Sequence, residues 1–198
     1  LQYADTKFGG IDETENRWNS GDRNPEFTSK DYWGYINCAG FTYEAYDTAL
    51  GVKLNGGGYN LWSTKRLATY AKSAGIEAYR FERGASEVKD EATMQSIKND
   101  VLNILQPGDL MVVTRGTAGF GHVVMYIGNG SFIHSTGGVY TVDVGEAYEP
   151  TIRYHRVNDY FFTEGNGGYL FYDSTKADDK QITEFVIVRP LASSKFNV

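Results

Sequence analysis

Residues 121–137 read GHVVMYIGNGSFIHSTG, and they hold two of the chain's three histidines, His122 and His134. His122-Val123-Val124-Met125-Tyr126-Ile127 is strongly β-forming, Gly128-Asn129-Gly130 is a turn signal, and Ser131-Phe132-Ile133-His134-Ser135 resumes as a strand. The stretch therefore predicts a β-hairpin with one imidazole on each arm.

Whether the two rings share a face depends on the turn. A two-residue Asn129-Gly130 turn sets His134 opposite Met125 and puts His122 on the other face. A three-residue Gly128-Asn129-Gly130 loop sets His134 opposite Val124, with the two histidines diagonal on one face about 7–8 Å apart at the backbone. The pattern allows both, and convergence of the rings requires an odd loop or a bulge at Gly128–Gly130.

The single cysteine lies far upstream, in Asn37-Cys38-Ala39-Gly40-Phe41. Asn37 suits an N-cap, and Cys38, Phe41, Ala45 and Ala49 follow helical spacing, so a helix is predicted from Cys38 to Leu50 with Gly51 as its stop. Cys38 reads either as a small buried hydrophobe or as a nucleophile. A thiol in a first helical turn meets free N–H groups and the positive end of the helix dipole, and an imidazolium nearby would further lower its pKa from the usual value of about 8.5.

With 198 residues, 41% hydrophobic and 22% charged, the chain has the composition of one globular domain. Its 15 tyrosines, 11 phenylalanines and 23 glycines suggest a β-containing, loop-rich protein. A net charge of -6 opposes binding to nucleic acid or to an anionic membrane. No stretch approaches the roughly 18 apolar residues of a spanning helix. No leader is visible, and the start at Leu1 rather than a methionine is read as a processed chain, which leaves export open. One cysteine excludes an intrachain disulfide and a multi-thiolate zinc site.

Residues 1–30 are polar and read as an arm packed on the body, ahead of a domain over 31–198. Further helices are expected from Ser63 to Ala74 and from Val88 to Leu105. Strands are expected at 76–81, 109–114, 139–144, 169–172 and 182–189, while 146–168 resists assignment. Helices followed by antiparallel strands give an α+β class, with the helices on one side of a sheet. His155, within Arg153-Tyr154-His155-Arg156, reads as surface, and Asp109 after Gly108 is explained by turn chemistry. Gly121 either lets backbone approach the cysteine or shapes a loop, and Tyr126 is a possible cleft residue.

Together Cys38, His122 and His134 compose a candidate triad. His122 would take the thiol proton and return it to a leaving amine, and His134 would hold the His122 ring. A metal site is a weaker match, because two histidines and one thiolate lack a carboxylate partner motif.

The segments Asn37–Phe41 (NCAGF), Gly108–Val113 (GDLMVV), Gly121–Ser135 and Phe185–Leu191 (FVIVRPL) resemble the NlpC-type cysteine peptidases of bacterial cell walls. The resemblance implies a papain-like fold: N-terminal helices, the first carrying the nucleophile, on a central antiparallel sheet with inserted elements. It also implies a catalytic set of Cys38, His122 and His134. Substrate contacts are expected from Tyr35, Ala39 and Gly121. The implied reaction cleaves an amide in peptidoglycan stem peptides, often between D-γ-glutamate and a diamino acid, with no cofactor and no metal. A secreted or wall-associated monomer is expected.

The chain departs from the family pattern beside the nucleophile, where Asn37-Cys38-Ala39-Gly40 replaces Asp-Cys-Ser-Gly, and 146–180 reads as an insertion. These departures keep two alternatives open. One is a non-catalytic relative that binds wall peptide or a partner. The other is a thiol acyltransferase or deamidase on the same fold.

Overall fold

A computed structural model describes residues 38–52, 54, 64–83, 90–116, 120–135, 139–140, 147–148, 152–163, 169–172 and 181–192. The predicted arm at 1–30 and Tyr35 lie outside the described residues.

The first helix, α1, runs Cys38–Leu50 and ends before Gly51. Helix α2 is Thr64–Ala74, followed by strand β1 at Glu77–Glu82. Helix α3 is Glu91–Ile104. It starts later than Val88 because Asp90 is the cap: its carboxylate accepts the Thr93 N–H at 2.7 Å. Strands β2 (Leu110–Arg115), β3 (Phe120–Gly128) and β4 (Ser131–Ser135) follow. The strand expected at 139–144 is described only as Val139–Tyr140, β5, paired with Ala147–Tyr148, β6. The stretch that resisted assignment contains strand β7, Ile152–Arg156, and a short helix α4, Val157–Phe161. Residues 169–172 are irregular rather than a strand. Strand β8 is Ile182–Val188, followed by a 3₁₀ turn at Pro190–Ala192.

The main sheet has the order β1-β8-β2-β3-β4-β7, and every neighbouring pair is antiparallel. This is the expected α+β arrangement of helices on an antiparallel sheet. One feature differs from the sequence reading: helices cover both faces. Leu110, Val112, Val123, Val186 and Val188 pack against Tyr46 of α1 and Leu67, Ala68 and Ala71 of α2. Met111, Val113, Val124, Phe132, Phe185 and Ile187 pack against Ile97 and Val101 of α3 and Val157 and Phe161 of α4. The central strands are accordingly apolar on both sides, Leu-Met-Val-Val in β2 being buried throughout. Each such side chain removed from water contributes roughly 1.5–3 kcal/mol, so a two-sided sheet is the economical outcome for these sequences.

The end of the sheet opposite the histidines is tied by a buried ion pair. Asp109, 1% exposed, accepts from Arg189 Nε at 2.9 Å and Nη2 at 2.8 Å, and from the Gln106 N–H at 2.8 Å. Asp109 does satisfy its turn, as the sequence suggested, but it also joins β2 to β8. Tyr46 of α1 donates its hydroxyl to the Gly108 carbonyl, fixing the helix to the same corner.

Candidate active site

The β3–β4 hairpin solves the parity problem with a bulge. Met125 pairs with Ile133 and Tyr126 with Phe132, but the register then shifts, and Gly128 pairs with Ser131. Ile127 is thus the extra residue, and it is half out in solvent. The turn itself has two residues: Asn129 and Gly130 take φ values of 51° and 69°, the left-handed pattern that matches strand twist. A two-residue turn alone would have separated the histidines. The bulge restores the pairing that sets His134 across from Val124, on the His122 face.

The rings then meet. His122 Nε2 and His134 Nδ1 are 2.6 Å apart, with ring planes at 72°. One proton lies between the two nitrogens. If His122 donates it, His122 Nδ1 is left open as a base, and the proton of neutral His134 resides on its Nε2. That buried Nε2 has no hydrogen-bond partner among the described residues.

Aromatic rings enclose the pair. Tyr169 stacks on His122 at 5.3 Å and 11°. Phe132, His155 and Tyr160 stand nearly perpendicular to His134, all between 5.2 and 5.4 Å away. Both histidines are nearly inaccessible to water, at 4% and 0% exposure. Burial therefore pushes the His122 pKa down to about 3. His134 is pushed to about 2, by burial first and then by the neighbouring His122, His155 and Arg153. The pair is neutral at physiological pH.

Cys38 is the first residue of α1 and is 6% exposed. Three backbone N–H groups, those of Val123, Ala39 and Cys38 itself, favour its thiolate, but burial outweighs them and raises the pKa to about 11. The sequence predicted a lowered value. The helix start does supply the N–H groups, yet the desolvation of an enclosed thiolate is the larger effect. The approach also differs from the expected one. Cys38 clusters with Val123, whose side chain points to the α1–α2 face, whereas His122 and His134 project to the other face. The thiol thus reaches β3 through the Val123 N–H, one residue beyond His122, instead of standing over the histidine face. Tyr160 and Tyr169 of the ring enclosure have their pKa values raised, by burial first and with a smaller contribution from the charge of Cys38.

The remaining predicted residues fall as follows. Ala39 is buried beside Cys38. Gly121 is packed on α2: a Cβ there would stand 2.0 Å from Thr64 Oγ1. Tyr126 lines no cleft; it is core, and its hydroxyl accepts the Gly130 N–H at 3.0 Å. His155 is not a surface residue. It is half-buried and paired with Phe132 across β4–β7, among the exposed Arg153, Tyr154 and Arg156. The polar run RYHR gave no signal that singled it out. Tyr160 and Tyr169, from the stretch read as an insertion, carried no signal that would single them out of 15 tyrosines. Among the described residues, no three His, Cys, Asp or Glu side chains form a metal-holding group.

No curated protein matches the chain. A model of the NlpC/P60 family matches residues 15–159, a span that takes in the helix of Cys38 and the whole histidine hairpin. The members of that family are generally cysteine peptidases and amidases of the cell wall, and this chain belongs to it.

Proposed function

We propose that the protein hydrolyses an amide in peptidoglycan stem peptides, the D-γ-glutamyl–diamino acid bond, with Cys38 as nucleophile, His122 as base and His134 as the residue that orients it. The 2.6 Å bond between His122 and His134 carries the reading, because with His122 Nε2 as its donor it leaves His122 Nδ1 unprotonated. In the resting state both thiol and imidazole are neutral. As Sγ attacks the carbonyl carbon, its proton passes to His122 and the C–S bond forms. Backbone N–H groups near Sγ, those of Cys38, Ala39 and Val123, are in reach of the developing charge. The C–N bond then breaks, His122 returns the proton to the leaving amine, and a thioester remains. Water, deprotonated by His122, releases the acid and restores the thiol.

In this reading 31–198 is the catalytic domain, 1–30 its arm, and Tyr35, Ala39 and Gly121 border the peptide. The site of action is outside the cytoplasm, where the substrate lies, and the working unit is a monomer. No helix of the described residues is long and apolar enough to cross a membrane.

The test is mass spectrometry of muropeptides treated with the wild type and with Cys38→Ala. Cleavage at a γ-glutamyl bond, lost in the variant with the fold retained, is the expected result. His134→Ala should lower kcat by about 10²–10⁴-fold. The enclosed thiol, with its pKa of about 11, favours a second reading: a relative that binds wall peptide without turning it over. Binding with no product after prolonged incubation would establish that reading instead.

A further inference from the structure

Arg115 ends β2, and its partner Phe120 on β3 lies two residues before His122. His122 itself is opposite Val113, so Arg115 and His122 are diagonal neighbours on one face of the sheet. The Arg115 guanidinium lies 4.8 Å from the centre of the Tyr169 ring, the same ring that stacks on His122 at 5.3 Å. Laid end to end, these spacings hold it within about 10 Å of the imidazole.

Its surroundings set it apart from the other described arginines. Arg80 and Arg189 bind carboxylates, Arg83 binds Gln181 and the Phe171 carbonyl, and Arg156 binds the Asn129 carbonyl. Arg66 and Arg153 also have partners. Among the described residues, Arg115 makes no hydrogen bond or ion pair with the protein; only the face of Tyr169 holds it. It is half-buried. A guanidinium held over an aromatic ring is pre-organised, and its N–H groups can still donate to a planar anion. The positive charge reaches into the site, since it works against the raised pKa of both Tyr160 and Tyr169.

We infer that Arg115 is a specificity-determining residue that binds a carboxylate of the substrate next to the bond that is cut. The inference rests on the amidohydrolase reading above and adds the anion to it. A γ-linked glutamyl residue leaves its α-carboxylate free. That carboxylate lies four bonds from the attacked carbonyl carbon, roughly 5 Å when extended. A carboxylate so placed spans the gap between the nucleophile and a guanidinium stationed one aromatic ring away. The pair is charge-assisted and bidentate, which selects against the neutral carboxamide of the same shape.

The experiment uses Cys38→Ala protein, which binds without cutting, and two L-alanyl-γ-D-glutamyl-L-lysine peptides that differ only in a free α-carboxylate or an α-carboxamide. Calorimetry should show the carboxylate form binding about tenfold tighter or better. Adding Arg115→Gln should bring the two peptides within about twofold, and Arg115→Lys should fall between. Equal binding of both peptides with Arg115 present, or a preference unchanged by Arg115→Gln, overturns the role of Arg115 alone. If neither peptide binds, the stem-peptide reading falls together with this inference.

Discussion

His122 Nε2 lies 2.6 Å from His134 Nδ1, and the two residues are almost closed to solvent. Among the described residues neither ring has a counter-charge in contact, and burial holds both in the neutral form. Their folded pKa values, about 3 and about 2, lie below the ordinary histidine value of 6.5. The unfolded chain consequently binds more protons than the folded one between pH 6.5 and these values, and stability rises with pH across that window. We expect the unfolding midpoint to fall steadily from pH 7 to pH 4.5. Each histidine contributes up to about 1.4 kcal/mol per pH unit. Urea titrations at several pH values should show a shallower slope for His122→Gln or His134→Gln. An unchanged slope in both variants would sink the account.

Burial governs the thiol in the same way. Because the Cys38 pKa is raised to about 11, its thiolate fraction should climb about tenfold per pH unit without levelling off near neutrality. Alkylation by iodoacetamide, followed by intact-mass measurement from pH 6 to 10, is the check. A plateau below pH 8 would mean a resting thiolate–imidazolium pair and would contradict the neutral ground state described above.

Gly121 is where α2 touches the strand that carries His122. Adding a Cβ 2.0 Å from Thr64 Oγ1 forces one element to move. Gly121→Ala should destabilise the protein by about 1–3 kcal/mol, and it should reduce turnover because His122 is the next residue. Thr64→Ala removes the obstructing oxygen and should recover much of the melting temperature, whereas Thr64→Ser retains it and should not. Equal rescue by both would point to a different cause.

The Asp109–Arg189 pair holds the far corner. Asp109→Ala deprives a bidentate guanidinium of its partner and leaves the Gln106 N–H unsatisfied. A loss of about 3 kcal/mol is expected, the lower end for a broken buried pair because Arg189 keeps some contact with water. Chemical denaturation is the measure. The double variant Asp109→Ala/Arg189→Met should be less destabilised than the single one.

The helices and most strands were legible because each is written locally. Gly51 and Gly75 follow two helices, and β2 and β8 each hold an apolar run, Leu110–Val113 and Phe185–Val188. What escaped the sequence is non-local. The last strand, beyond the residues matched by the family model, sits between β1 and β2, and nothing in ITEFVIV announces its neighbours. Cys38, His122 and His134 were legible as candidates, because a lone cysteine and two hairpin histidines are few. The ring enclosure was not, since Tyr160 and Tyr169 reach the histidines through a fold of chain with no periodic pattern. Nor could the thiol's environment be read, because its burial is set by residues distant in sequence, such as Val123 of β3.

The bulge at Ile127 turns the hairpin loop into a question of odd and even. Faces of a strand alternate residue by residue, so a change of one residue between Tyr126 and Ser131 would swing His134 away from His122, while a change of two would return it. Loop length in such a chain is therefore free to drift only in steps of two, or in single steps answered by a second bulge. The spacing of the two histidines behaves less like a distance than like a reading frame.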